Sequence, residues 1–394
     1  MSDNIVVVGG GAAGISAVEA LRREGFTGRL ALVAGEPGPP VDRPPLSKQV
    51  LSGQWPLERA RLRADADFEA LDVAVVRDRA TGLDPDGRRL LLEDADPLPY
   101  DGLVVATGVT PLRLPFGHDL AGVHVLRGAQ DVAGLRESLA TARHLVVVGA
   151  GFLGTEVAAT AAGLGHRVTV VDLLPLPLVA QLGETVAGRV AQLHRDRGVE
   201  LRTGVGVSGF VASDGRVSGV ALTDGTVLEA ECVLVAIGSR PAVDWLRSSG
   251  LDLADGVVCD RFCRAAPGVY AAGDVASWPN PRFGRRMRVE HRGNAGEQGQ
   301  AAAVNLLHGD TTPFSPLPYF WTDQYDVKIQ AYGLLGADAE VEVVDGSPEG
   351  SAFVALYRVG GRLTGALAWN AFKPLRRYRG ELAALPFPTE GAVV

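Results

Sequence analysis

The sequence predicts an α/β chain made of two parallel-sheet units and a small α+β domain at its C-terminus. Three observations predict it. Strand–glycine–helix units open at Ile5 and again at Leu145. Each is followed by a second strand that ends near an acid, Glu36 in the first unit and Asp172 in the second. From Tyr319 onward the texture changes to short strands rich in Tyr, Val and Gly, with turn signals at Asp345-Gly346 and Gly360-Gly361. The two openings lie too far apart for one doubly wound sheet, so each starts its own Rossmann-like dinucleotide-binding domain.

The first unit runs Ile5–Val8, then Gly9-Gly10-Gly11-Ala12-Ala13-Gly14, then a helix from Ile15 to near Arg23. Gly9 allows the tight turn. Gly11 lets the backbone approach a pyrophosphate, and Gly14 lets helix and strand pack closely. The helix N-terminus offers free N–H groups and partial positive charge to phosphates. A second strand, Leu30–Val33, brings Glu36 to where a ribose hydroxyl would be held. The second unit repeats this with Leu145–Val148, Gly149, Gly151 and Gly154, and the strand Val168–Val171 before Asp172. A carboxylate there accepts from a 2′-hydroxyl and repels a 2′-phosphate, which favours NADH over NADPH. Arg167 stands nearby in sequence and could soften that preference. Glu156, in the first turn of the second helix, reads equally as a helix-dipole partner and as a carboxylate near the nicotinamide.

The intervening chain is consistent with this plan. Pro39–Pro45 is a stiff segment. Leu90–Leu92 and Leu103–Val105 read as strands, the latter closed by Ala106-Thr107-Gly108. Val233–Ile237 ends likewise in Gly238, and Val269–Ala272 leads into Gly273-Asp274. Asp274 reads as a sugar-hydroxyl acceptor, as a helix N-cap, or as both. The expected division is a first dinucleotide-binding domain, split in sequence, at 1–112 and 241–318, a second one favouring NADH at 113–240, and the α+β domain at 319–394, the first being the FAD-binding domain by the resemblance described below.

Composition narrows the classes. Glycine supplies 50 of 394 residues, where a share of about 7% is usual. The net charge of −8 argues against a nucleic-acid partner. No apolar run reaches the roughly 18 residues of a membrane span. The three cysteines, Cys232, Cys259 and Cys263, are too few for a disulfide framework and point to the cytoplasm. No Cys/His cluster has metal-site spacing, so no metal is expected.

The chain resembles the FAD-dependent ferredoxin reductases of the putidaredoxin reductase and aromatic-dioxygenase type. The residues that carry the resemblance are Val8–Gly14, Asp42-Arg43-Pro44-Pro45-Leu46-Ser47-Lys48, Ala106-Thr107-Gly108, Val148–Glu156, Ala272-Gly273-Asp274-Val275 and Tyr319-Phe320-Trp321-Thr322-Asp323-Gln324-Tyr325. It implies FAD contacts from Gly9, Gly11, Ala13, Gly14, Glu36, Arg43, Lys48, Ala80, Thr107, Gly108, Arg127, Gly273 and Asp274. Gly149, Gly151, Gly154, Glu156, Asp172 and Gly238 would serve NADH. Lys48, Glu156 and Trp321 would stand closest to the chemistry, with the Lys48 cation at the flavin N5/O4 edge and Trp321 beside the ring. Arg292 takes a flavin-side position that is often apolar in the family, and Val41, Gly35 and Thr155 also depart from its pattern.

The implied reaction passes a hydride from NADH to FAD, then single electrons to a small iron–sulfur ferredoxin that supplies a haem monooxygenase or a ring-hydroxylating dioxygenase. The expected state is a monomer or weak dimer. The rivals are a rubredoxin reductase, an NADH oxidase or peroxide reductase, and an interaction module resembling apoptosis-inducing factor. The peroxide chemistry needs a thiol beside the flavin, where this segment offers Ser47. Cys259 and Cys263 have a spacing open to a redox pair, although two ordinary cysteines fit the segment better. Basic clusters at Arg285, Arg286 and Arg288, and at Lys373, Arg376, Arg377 and Arg379, are candidate docks for an acidic ferredoxin.

Overall fold

The structure is a computed structural model and describes residues 3–385. The β-branched run Ile5–Val8 is buried on both faces, as a central parallel strand requires. It sits in a six-stranded sheet ordered Arg264–Ala266, Val269–Ala271, Gly102–Val105, Asn4–Val8, Arg29–Val33 and Ala74–Val76. All neighbours are parallel except the first pair. The second sheet has five parallel strands, ordered Glu200–Thr203, Arg167–Asp172, His144–Val148, Cys232–Val235 and Val123–His124. The chain thus leaves the first sheet, builds the second, and returns to set Val269–Ala271 beside Gly102–Val105. The outgoing strand Val109–Pro111 and the returning strand Ser239–Pro241 pair antiparallel, so the two passages brace each other.

Helix Ala12–Arg23 crosses helix Arg292–His308 at close range: a Cβ on Gly299 would lie 2.1 Å from the Ala13 carbonyl oxygen. Small residues are therefore what lets these helices meet. Asp274 caps no α-helix: a 3₁₀ turn, Gly273–Val275, runs straight into the strand Ala276–Asn280.

The C-terminal domain is α+β. Its five antiparallel strands are ordered Tyr319–Gln324, Val327–Gly333, Arg362–Trp369, Phe353–Val359 and Glu340–Gly346. Gly360 and Gly361, with φ of 56° and 76°, make the tight turn of its central hairpin. Asp345-Gly346 does not turn; both stay in the edge strand, past a register shift after Val343, and the reversal follows Gly346. One face of the sheet packs Ile329, Phe353 and Tyr357 against Leu182, Val186 and Val190 of helix Val179–Asp196. The other face packs against Leu375 and Leu382 of helix Phe372–Ala384. Strand Tyr319–Gln324 is thereby laid along helices Phe152–Gly163 and Arg292–His308, at the mouth of the cavity described next.

Candidate active site

A cavity of about 1530 Å³ connects the two glycine loops. The loops are built alike. Gly9 and Gly149 have φ of 117° and 107°, and a Cβ on either would stand 2.2 or 2.3 Å from the carbonyl oxygen of Ala106 or Ala236. A Cβ on Gly14 or Gly154 would fall 1.9 Å from the oxygen of the first glycine of its own loop. Only glycine fits these four positions. Gly11 and Gly151 are different: a Cβ there meets nothing within 4 Å, because both face the cavity. The backbone is bared where phosphates would lie at each helix N-terminus, as both cradles require.

The first cradle is clamped by charge. Arg43 pairs with Glu36 at 2.5 Å and donates to the Arg127 carbonyl at 2.6 Å. Arg127 pairs with Asp274 at 3.1 Å, while its Nε is buried with no partner. Burial, and then repulsion from Arg43, push the Arg127 pKa below its usual value. An anion between the two guanidinium groups would relieve both, so the residues fit the pyrophosphate of a dinucleotide. Ala13, Ala80, Thr107 and Gly108 line the same space. Gly14, Gly154 and Gly273 do not: the first two are spent on strand–helix packing, and Gly273 faces the methyl of Ala13.

At the second cradle, Asp172 accepts from the Ala150 N–H at 2.5 Å and from the Leu174 N–H at 2.7 Å. Leu173 and Leu174 beside it are exposed and line the cavity with Gly238. Arg167 is at the far end of the same strand, roughly 16 Å away along the chain, and pairs with Glu200. Sequence proximity misplaced it; it does not serve this pocket.

Between the cradles lies a buried ion pair. Lys48 Nζ is 2.6 Å from Glu156 Oε2, and that carboxylate also accepts from Ser47 Oγ at 2.5 Å and Thr322 Oγ1 at 2.8 Å. Glu156 therefore bonds a lysine brought from the first unit and does more than complement its own helix. Trp321 lines the cavity and stacks on Tyr319 at 6.0 Å, with Tyr332 next in line. Arg292 also lines it and pairs with Asp42 at 2.5 Å, so two residues 250 positions apart meet at the mouth. The neighbouring His291 ring packs on Phe320, and burial pushes its pKa down to about 4. The contacts of Ser47, Asp42, His291, Thr322 and Gln324 have no local signature in the sequence, beyond the motifs that contain four of the five.

Two other expectations change. Arg286 donates to the carbonyls of Cys259 and Ser277, and Arg288 is held between Asp255 and Glu290. Two of the three cations of that cluster are thus committed internally. Lys373, Arg376, Arg377 and Arg379 are exposed. All three cysteines are free and buried; burial pushes Cys232 and Cys259 up to about 12 and Cys263 well above the ordinary thiol range. Thiols so reluctant to ionise are poor redox groups.

Residues 3–299 match the model of the pyridine nucleotide-disulphide oxidoreductases. The chain belongs to that family. Residues 319–391 match the reductase C-terminal family. Rhodocoxin reductase of Rhodococcus erythropolis is 37% identical over 370 residues, spanning 93% of this chain and 86% of the relative. The anthranilate 1,2-dioxygenase system ferredoxin–NAD(+) reductase component of Burkholderia cepacia is 35% identical, spanning 98% and 96%. The reductase in the covalent putidaredoxin reductase–putidaredoxin complex superimposes with a TM-score of 0.92 at 31% identity, covering 96% of this chain and 93% of that one. The family includes enzymes that work through a disulfide; in this member Ser47 occupies the segment beside the ion pair, and its hydroxyl is bonded to Glu156.

Proposed function

We propose that this protein is an FAD-dependent NADH:ferredoxin reductase whose single electrons pass to a small iron–sulfur protein and on to an oxygenase. The observation that carries the reading is one cavity that joins two glycine cradles, with a lysine–glutamate pair between them and Trp321 at its mouth. FAD would occupy the cradle of Gly9, Gly11, Glu36, Arg43, Arg127 and Asp274. NADH would enter at Gly149, Gly151, Asp172 and Gly238. Bound there, the flavin supplies the step from two-electron to one-electron chemistry.

The chain's own part is placement. The two cradles set both dinucleotides into one space, so orientation supplies most of the protein's contribution. Lys48 brings a positive charge to that space, and Glu156 fixes where it stands. Trp321, Tyr319 and Tyr332 extend from the cavity towards helix Phe372–Ala384, whose exposed Lys373, Arg376, Arg377 and Arg379 suit an acidic ferredoxin. An oxidase or peroxide reductase reading loses support because no reactive thiol stands in the cavity among the described residues. No described helix is long and apolar enough to cross a membrane; with its free thiols, the cytoplasm is the compartment we assign.

The test is purification of a yellow protein that NADH bleaches, followed by cytochrome c reduction with and without ferredoxins. Reduction that needs a ferredoxin, slows in high salt, and weakens about tenfold on reversing Arg376 and Arg379 to Glu supports the reading. Ferredoxin-independent consumption of oxygen at the same rate would overturn it.

A further inference from the structure

We infer that His194 and Gln324 are positioning residues for Glu156: a one-directional chain of hydrogen bonds, Tyr325 to His194 to Gln324 to Thr322, delivers a hydroxyl hydrogen to its carboxylate and holds it against Lys48. This rests on the reading of the cavity as the NADH–flavin site.

The direction follows from what each group can do. The Gly151 carbonyl only accepts, so Thr155 Oγ1, 2.9 Å away, donates to it. Having spent its one hydrogen, Thr155 accepts from Gln324 Nε2 at 3.0 Å. That fixes the amide, whose oxygen faces His194 Nε2 at 2.9 Å. Nε2 therefore carries the hydrogen, and Nδ1 accepts from the Tyr325 hydroxyl at 3.0 Å. The second amide hydrogen of Gln324 goes to Thr322 Oγ1 at 3.4 Å, and Thr322 turns its own hydrogen to Glu156 Oε1 at 2.8 Å. At this end too the acceptor is fixed, since a carboxylate has no hydrogen to give.

Thr155, Glu156, His194, Thr322 and Gln324 are all buried, so water does not compete for these bonds. Burial holds His194 neutral, with its pKa pushed down to about 4, as the chain needs at neutral pH. The chain also spans the molecule: Ser47 and Lys48 come from the first unit, Thr155, Glu156 and His194 from the second, and Thr322, Gln324 and Tyr325 from the C-terminal domain. Aligned dipoles reinforce one another in a low-dielectric interior, so a remote break is felt at Glu156.

The experiment uses the FAD-loaded protein and stopped-flow reduction by NADH. Thr322→Val removes the hydroxyl at constant shape and should slow flavin reduction at saturating NADH about tenfold, the scale of a lost bond to a charged group. The Kd for NADH should change less than about twofold, because no contact to the nucleotide is removed. Thr322→Ser should restore the rate. His194→Phe should slow reduction about threefold in the parent but add nothing to Thr322→Val, since the chain is already cut. A second readout is independent of turnover: ¹⁵N spectra of histidine-labelled protein, assigned by loss of the signal in His194→Phe, should show the Nε2–H tautomer. A Thr322→Ser variant as slow as Thr322→Val, effects of the two sites that multiply, or an Nδ1–H tautomer would each overturn the inference. Wild-type protein that NADH fails to bleach sinks the functional reading first. Wild-type bleaching with an unaltered Thr322→Val rate sinks only the chain.

Discussion

The two nucleotide cradles share a backbone and differ in what surrounds it. Their first glycines have nearly the same φ, their third glycines nearly the same close approach, and their second glycines the same open face. The first is closed by ion pairs, a local one from Glu36 to Arg43 and one across the fold from Arg127 to Asp274, the latter spanning 147 residues of sequence. Among the described residues the second has no such clamp; Asp172 bonds there only to backbone of its own loops, and exposed leucines form the rim. A glycine loop is thus a phosphate cradle and nothing more. On the proposed reading, whether it retains its ligand or releases it is decided by side chains from elsewhere, so the first cradle should keep its ligand and the second exchange it.

The strongest way to break this comparison is at the glycines. Gly149→Ala drives a methyl into the Ala236 carbonyl. Flavin should stay bound at its normal absorbance, while reduction by NADH falls more than about 100-fold, since misplacing the reacting groups by about 1 Å already costs that much. Gly9→Ala makes the equivalent clash with Ala106 and should yield colourless protein. If Gly149→Ala loses its flavin as readily as Gly9→Ala, the two cradles are not separate.

Acid should act next, in large part through the second unit. His194 is fully buried with a folded pKa of about 4, below the unfolded value of 6.5. The unfolded chain takes up a proton below about pH 6.5 that the folded chain refuses until about pH 4. Stability is therefore unaffected above 6.5 and is lost as pH falls through that window, by about 3 kcal/mol at its lower end. Urea midpoints at pH 7 and pH 4.5 should show the loss, and His194→Phe should remove His194's share of it, leaving that of His291, which burial also pushes down to about 4. A His194→Phe protein with an unchanged pH slope would remove His194 as the cause.

Clamping itself is tested at Arg127. Arg127→Met keeps the bulk, removes the charge and leaves Asp274 without its cation. FAD rebinding to apoprotein should weaken about 20-fold, in the range of a charge-assisted bond lost from a sheltered site. An unchanged affinity would show that retention comes from the loop alone.

The cradles were legible in the sequence because their demands are local: a positive φ, a close approach and a bared backbone each require glycine within six residues. The Val-rich parallel strands were legible for the same reason. Helix Arg292–His308 was not, because Gly296, Gly299 and small alanines bury it by proximity and leave no apolar stripe to detect. Helix Val179–Asp196 was hidden behind a proline-rich lead and a break at Gly183, whose φ is 71°. The clamps were least legible of all. Lys48–Glu156 and Asp42–Arg292 join residues 108 and 250 apart, and a charge carries no mark of its distant partner. Arg127 was recognisable only by resemblance.

The smallest effect should come from the residue that most plainly names the second ligand. Asp172 is expected to select NADH, yet both its oxygens already accept backbone N–H groups. Asp172→Ala removes the ribose acceptor and the repulsion against a 2′-phosphate, but it brings no cation, and Arg167 is too far along the strand to supply one. The KM for NADH should rise about fivefold, the scale of one lost exposed hydrogen bond. Discrimination against NADPH should relax by a similar factor without inverting. Asp172→Asn separates the two roles: its amide oxygen can still accept from Ala150 or Leu174, so loop order is largely kept while the charge is gone. If Asn restores the NADH KM but not the discrimination, the carboxylate acts on the phosphate by charge and on the ribose by shape. If Asn behaves as Ala on both counts, specificity in this cradle lies with the leucine rim and not with its acid.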